Sequence, residues 1–191
     1  MSGADARARI VAQARVLDAA GAAGVGGRAR RLSRRLAERA GRAPMPAVDF
    51  ADVAALPDWA SWPRERRELF VHLAGAMACA PTLHRTIDGR VLARLARRLG
   101  EAPLDAVLAT PHGLIPPSPC DTALANDESL RDLGAAVLLS DLTDRPALSV
   151  RLALLLDVQP WPLSPTVGQA ALHAARGGLM AIEAGLMETA A

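Results

Sequence analysis

The stretch Leu69–Leu108, LFVHLAGAMACAPTLHRTIDGRVLARLARRLGEAPLDAVL, decides the fold. Leu69, Leu73, Ala76 and Ala80 recur at spacings of three and four, with Phe70 and Met77 beside them. That period lays an apolar stripe along a helix. Pro63 suits its first turn, where a missing N–H costs nothing, and Pro81 is expected to end it. Asp88 then reads as an N-cap, because its carboxylate can accept from free N–H groups two or three residues on. Val91, Leu92, Leu95 and Leu99 form the inner face of that second helix. Arg90, Arg94, Arg97 and Arg98 lie outside it or on its edge, and Gly100 supplies a left-handed stop. A short third helix carries Leu104, Val107 and Leu108.

Working outward, Pro111, Pro116, Pro117 and Pro119 mark 110–125 as a loop. Asn126 caps a helix with Asp127 and Glu128 at its positive end and Leu130, Leu133, Val137 and Leu138 inside. Pro146 opens a further helix whose run Leu152–Leu156 is apolar nearly all round, which predicts a central, buried position. Ser164-Pro165 starts the last helix, with Val167, Ala171, Ala174, Gly178, Ile182 and Leu186 as its expected stripe; its small residues would allow close helix approach or a shallow partner groove. Strand alternation is nowhere evident. The fold class is all-α: a single helical domain of about seven to nine helices behind a basic N-terminal arm. The expected boundary separates 1–46, an Arg-rich helical arm and linker, from 47–191, the helical core.

Composition narrows the function. All 22 basic residues are Arg. The net charge of +2 conceals a gradient: residues 1–42 hold ten Arg against three acids, and 100–191 hold four against eleven. Such a dipolar chain can steer partners, with an effect that salt weakens. Two cysteines cannot build a disulfide framework and fit a reducing cytoplasm. Neither a membrane-spanning run nor a secretory leader is expected.

Chemistry-bearing residues are sparse. Cys79, His84, His112 and Cys120 are the one group that could hold a metal. Zinc asks for four ligands at short paired spacings, whereas four residues separate the first pair and seven the second. Cys79 reads as a small core hydrophobe, and His72 as a surface histidine beside Glu68. No catalytic residue, cofactor or metal is expected, and the chain is read as a non-enzyme. GVGGRARR lacks the lysine and preceding strand of a phosphate loop. Arg28, Arg31, Arg34, Arg35 and Arg39 are the candidate partner contacts. They face a protein on the first reading. The alternative is a nucleic-acid-associated protein using the Arg28–Arg39 helix, although no aromatic residue there could stack on bases.

Leu73, Ala74, Gly75, Leu83, Arg85, Thr86, Ile87, Asp88 and Gly89, then Leu92, Leu95, Leu99-Gly100-Glu101 and Leu104, resemble the SctK/YscK-type accessory proteins of bacterial type III secretion. In that family an LGA-like helix is followed by a basic residue, an Ile- or Val-Asp pair and a helix ending in LGE or LGD. Residues 133–139, Arg145-Pro146 and Arg151-Leu152-Ala153-Leu154 are similar to the family's C-terminal half. The resemblance covers about residues 60–157; it departs in LAGA for LGA and in the proline-rich loop. It implies a cytoplasmic adaptor of the sorting platform, at the cytoplasmic face of the inner membrane. Its partners would be the inner-membrane ring, the pod and the ATPase complex, with membrane association only peripheral, through that complex. No family motif assigns a binding residue here.

Overall fold

The computed structural model describes residues 50–86, 88–117, 122–158, 161 and 163–189. It is 76% helical, with eight α-helices and no strand among these residues. The helices are α1 (Phe50–Ala54), α2 (Arg64–Ala78), α3 (Ala80–Leu83), α4 (Gly89–Leu99), α5 (Glu101–Leu108), α6 (Asp127–Leu139), α7 (Pro146–Leu156) and α8 (Pro165–Thr189). Short 3-10 turns occupy Asp58–Ser61, Ala123–Ala125 and Ser140–Leu142. The chain divides into two compact units, Met1–Arg67 with Leu142–Gln159, and Glu68–Asp141 with Pro160–Ala191.

In the first unit Leu56, Trp59, Ala60, Leu142, Leu148, Leu152 and Leu156 are buried. Pro57 precedes the 3-10 turn that buries Trp59, and Arg66 stacks its guanidinium 4.0 Å above the Trp62 ring. Arg145 reaches Asp52 at 3.5 Å and ties α7 to α1. The run Leu152–Leu156 is less enclosed than expected. Leu152 and Leu156 are buried, whereas Ala153, Leu154 and Leu155 are half-exposed, so α7 hides a stripe and not its whole circumference.

The second unit is built on α2. Every residue from Phe70 to Ala80 is buried, so the helix is enclosed on all sides from Phe70 onward instead of presenting one stripe. Leu69, expected in the stripe, is half-exposed. No charged side chain lies between Glu68 and Arg85, which lets the segment be surrounded. Pro81 does not end α2. The chain breaks at Cys79, and Pro81 sits in the first turn of α3, where its absent N–H breaks no bond. Around α2, α8 packs on α6 and α5, α4 packs on α5, and α3 packs on α5.

The tightest contact is where α2 crosses α6. A Cβ added at Gly75 would collide with the carbonyl oxygen of Leu130, and one at Gly134 with that of Val71. The two backbones touch because neither helix has a side chain there.

Capping follows local chemistry. Asp88 accepts from the Arg90 N–H at 2.8 Å, and Asn126 Oδ1 from the Ser129 N–H at 2.7 Å. Ser164 Oγ accepts from the Val167 N–H at 3.4 Å. Gly100 has φ 94° and ψ 164°, a combination open essentially to glycine, although it is extended in ψ and not the left-handed helical cap expected.

Candidate functional site

The proposed arginine contacts Arg28, Arg31, Arg34, Arg35 and Arg39 lie outside the described residues, as do Cys120 and the side chain of Leu186. Four other features of the second unit bear on function.

The first is a polar knot around α2. His72 is only 2% exposed, not a surface residue. Its Nδ1–H donates to the Glu68 backbone carbonyl at 2.8 Å, and its Nε2 accepts from Arg98 Nε at 3.1 Å. These two bonds fix the neutral ring in one tautomer. Burial holds its pKa below the usual histidine value; the Arg98 and Arg131 charges push the same way, against the Glu68 contributions. The Glu68 carboxylate is engaged elsewhere, in a bidentate pair with Arg131 Nε and Nη2, both at 2.9 Å. Together the four residues join α2 to α4 and α6. The i, i+4 spacing of Glu68 and His72 was visible in the sequence, but it pairs the His72 ring with the Glu68 backbone carbonyl, and the side-chain partner of each comes from another helix.

The second is Arg94, which sequence spacing places outside the inner face of α4 or on its edge. It turns toward the 3-10 turn at Ala123–Ala125, donating from Nη1 to the Ala125 carbonyl at 2.8 Å and from Nη2 to that of Leu124. Its Nε also lies 3.9 Å from Asp127. Arg94 therefore anchors the end of the long loop, while Arg90, Arg97 and Arg98 are exposed along α4.

Third, the fold brings two of the four Cys and His candidates together. Cys79 is fully buried in the core. The His84 and His112 rings stand edge to face with centroids 4.4 Å apart. They line a pocket of about 190 Å³ with Pro81, Arg85, Thr110 and Ile115 among its walls. His84 Nε2–H donates to the Leu108 carbonyl at 3.1 Å, while its Nδ1 is shielded from solvent with no hydrogen-bond partner. Among the described residues no third His, Cys, Asp or Glu joins them.

The fourth feature is the outer side of α8. Its N-terminal half shows Gln169, His173 and Arg176 to solvent, with Arg176 paired to Asp141 at 3.2 Å. Further along the same side the exposed residues are Gly177, Met180, Ala181 and Ala184, at spacings of three and four. Met180 is 71% exposed, and a Cβ at Gly177 would meet nothing within 4 Å. The inner side buries Val167, Gly168, Ala171, Leu172, Ala175 and Leu179, a stripe rotated from the expected one, in which Ala174, Gly178 and Ile182 are only half-buried.

No helix among the described residues is long and apolar enough to cross a membrane. No family model, curated protein or solved structure matches this chain.

Proposed function

We propose that this chain is a non-enzymatic helical adaptor working in a cytoplasmic multiprotein assembly. The observation that carries the reading is the outer side of α8, where Gly177, Met180, Ala181 and Ala184 form an exposed apolar surface flanked by polar residues. Small residues at these spacings let a second helix approach closely, and Met180 is an unbranched, adaptable side chain suited to a partner's apolar groove. Supporting it, several charged side chains serve as links within the fold: Arg131 to Glu68, Arg94 to the loop carbonyls and Arg176 to Asp141.

The setting rests on the resemblance of residues 60–157 to SctK/YscK-type proteins. On that reading the chain sits in the sorting platform beneath a type III secretion machine and joins the inner-membrane ring to the pod and ATPase complex. The basic arm, with Arg28, Arg31, Arg34, Arg35 and Arg39, would supply a second contact of opposite charge to the acidic C-terminal half.

The test is affinity purification of the tagged full chain from its native cell, before and after nuclease treatment, alongside Met180→Glu. Recovery of ring, pod or ATPase components that survives nuclease and is lost in Met180→Glu supports the adaptor. Recovery that disappears with nuclease, together with DNA binding that falls steeply with salt, would replace it with the nucleic-acid reading.

A further inference from the structure

We propose that His84 and His112 form a binding site for a borderline divalent transition-metal ion of the zinc class. The inference rests on the pocket between α3 and the loop after α5, and it is independent of the adaptor reading.

The chemistry begins with the tautomer of His84. Its Nε2–H is committed to the Leu108 carbonyl at 3.1 Å, which leaves the lone pair on Nδ1. Metal-binding histidines are usually set up in this way, with the other ring nitrogen donating to a backbone carbonyl or carboxylate that fixes orientation and raises basicity. The Nδ1 lone pair is shielded from water and unused by any protein donor, so an ion there would satisfy a nitrogen that is otherwise unpaired.

The second ligand is already close. The ring centroids are 4.4 Å apart. Two imidazoles sharing one zinc at about 2.0–2.1 Å would have centroids roughly 5 Å apart. The separation is therefore within about 1 Å of what a shared ion needs, and a turn of the His112 ring out of its edge-to-face packing at 64° would bring a second nitrogen to the ion. His112 can supply it, because it is exposed and followed by Gly113 at φ 84° in a turn. Water completes the coordination, so the site is open, unlike the closed four-ligand sites that stabilise small domains.

Arg85 lines the same pocket, with its Nε donating to the Pro81 carbonyl at 3.1 Å. A guanidinium disfavours a cation and would favour an anion. The pocket's occupant can therefore be decided by changing Arg85 alone.

The experiment is a Zn²⁺ titration of the full chain carrying Cys120→Ser, which removes the thiol whose position is not described. It is followed calorimetrically and by imidazole NMR. The chain has only four histidines, so each can be assigned by substitution. One ion is expected to bind, with the His84 and His112 signals shifting together and those of His72 and His173 unmoved. His112→Ala, on an exposed loop, should keep the fold and lose at least about tenfold in affinity, or about 1.4 kcal/mol. Arg85→Gln should tighten Zn²⁺ binding. Undiminished affinity in His112→Ala, a shift confined to His173, or absence of binding would overturn the proposal. Weaker Zn²⁺ binding in Arg85→Gln, with parental phosphate binding that this change abolishes, would overturn it in favour of an anion site.

Discussion

Glycine and alanine crowd two regions of the second unit and do opposite work there. At the crossing of α2 and α6, Gly75 and Gly134 are buried, and a Cβ on either would strike a carbonyl oxygen of the facing helix. On the outer side of α8, a Cβ at Gly177 would meet open space. Between these extremes lies Gly178, where a Cβ would come 2.9 Å from Met77 Cε, the mobile end of a flexible side chain. The difference teaches that a small residue carries no structural meaning by itself. What decides is whether the atom in its way is backbone, which cannot yield, side chain, which can, or solvent.

The sharpest way to break this contrast is Gly134→Ala. The added methyl would push against the Val71 carbonyl of a helix buried all round, so α2 cannot move aside without disturbing every neighbour. A destabilisation of about 3 kcal/mol or more is expected, at or above the upper end for overpacking. Urea denaturation with an unchanged m-value would read it as a lower midpoint. A loss under about 0.5 kcal/mol would mean that the two helices separate easily and that the crossing is not tight.

The next effect concerns the charged neighbours of that crossing. Arg131→Met leaves the Glu68 carboxylate without its two 2.9 Å hydrogen bonds while only partly open to water. The expected loss is about 2 kcal/mol, less than for a buried pair because solvent screens both groups. A double-mutant cycle with Glu68→Gln should show a coupling of about 1 kcal/mol; additivity would mean that the pair adds nothing beyond its separate parts.

His72 adds a pH dependence of known sign. Its folded pKa lies below the unfolded 6.5 because burial opposes the charged ring. The unfolded chain therefore binds the proton first. The neutral ring's contribution is fully present above 6.5 and is lost as pH falls from 6.5 through the lowered folded value. The loss approaches about 1.4 kcal/mol per pH unit within that window. Protonation would also turn the Nε2 acceptor toward Arg98 into a donor. Comparing unfolding midpoints at pH 7.5 and 5.5 in the parent and in His72→Leu isolates this histidine from the other three. Equal pH slopes in the two would show that His72 titrates normally.

Local chemistry was the most legible part of the sequence. Asp88 and Asn126 cap helices because a short acceptor side chain meets N–H groups two or three residues away, and no distant partner is required. Gly100 was legible as a glycine-only position, although its ψ angle was not. Distance defeated the rest. The Leu152–Leu156 run and the Phe70–Ala80 run look equally apolar, but only the second is enclosed, because enclosure is a property of neighbouring helices. In α8, alanine and glycine on every side flatten the hydrophobic period, and the bulk of Leu172 and Leu179 sets which side turns inward. The His84–His112 pair was hidden for the same reason. Spacing rules search for ligands close in sequence, and here α4, α5 and a turn separate the two rings. Arg94 was equally opaque, since the carbonyls it holds lie at the far end of the proline-rich loop, 30 and 31 residues on.

The smallest predicted effect sharpens the comparison from its other end. Gly177→Ala places a methyl where nothing stands within 4 Å and removes the entropic penalty of glycine in a helix interior. It should stabilise the chain by about 0.5–1 kcal/mol, the reverse of Gly134→Ala. Met180→Glu on the same side should change stability by less than about 0.5 kcal/mol while removing partner capture. Destabilisation by Gly177→Ala would mean that this side of α8 is covered in the folded protein. Unfolding midpoints measured across protein concentration would then identify the cover: dependence on concentration indicates a second copy of the chain, and independence a contact within it. A stabilised, still-folded Gly177→Ala that captures its partner more weakly would instead show that α8 leaves room there for an incoming helix.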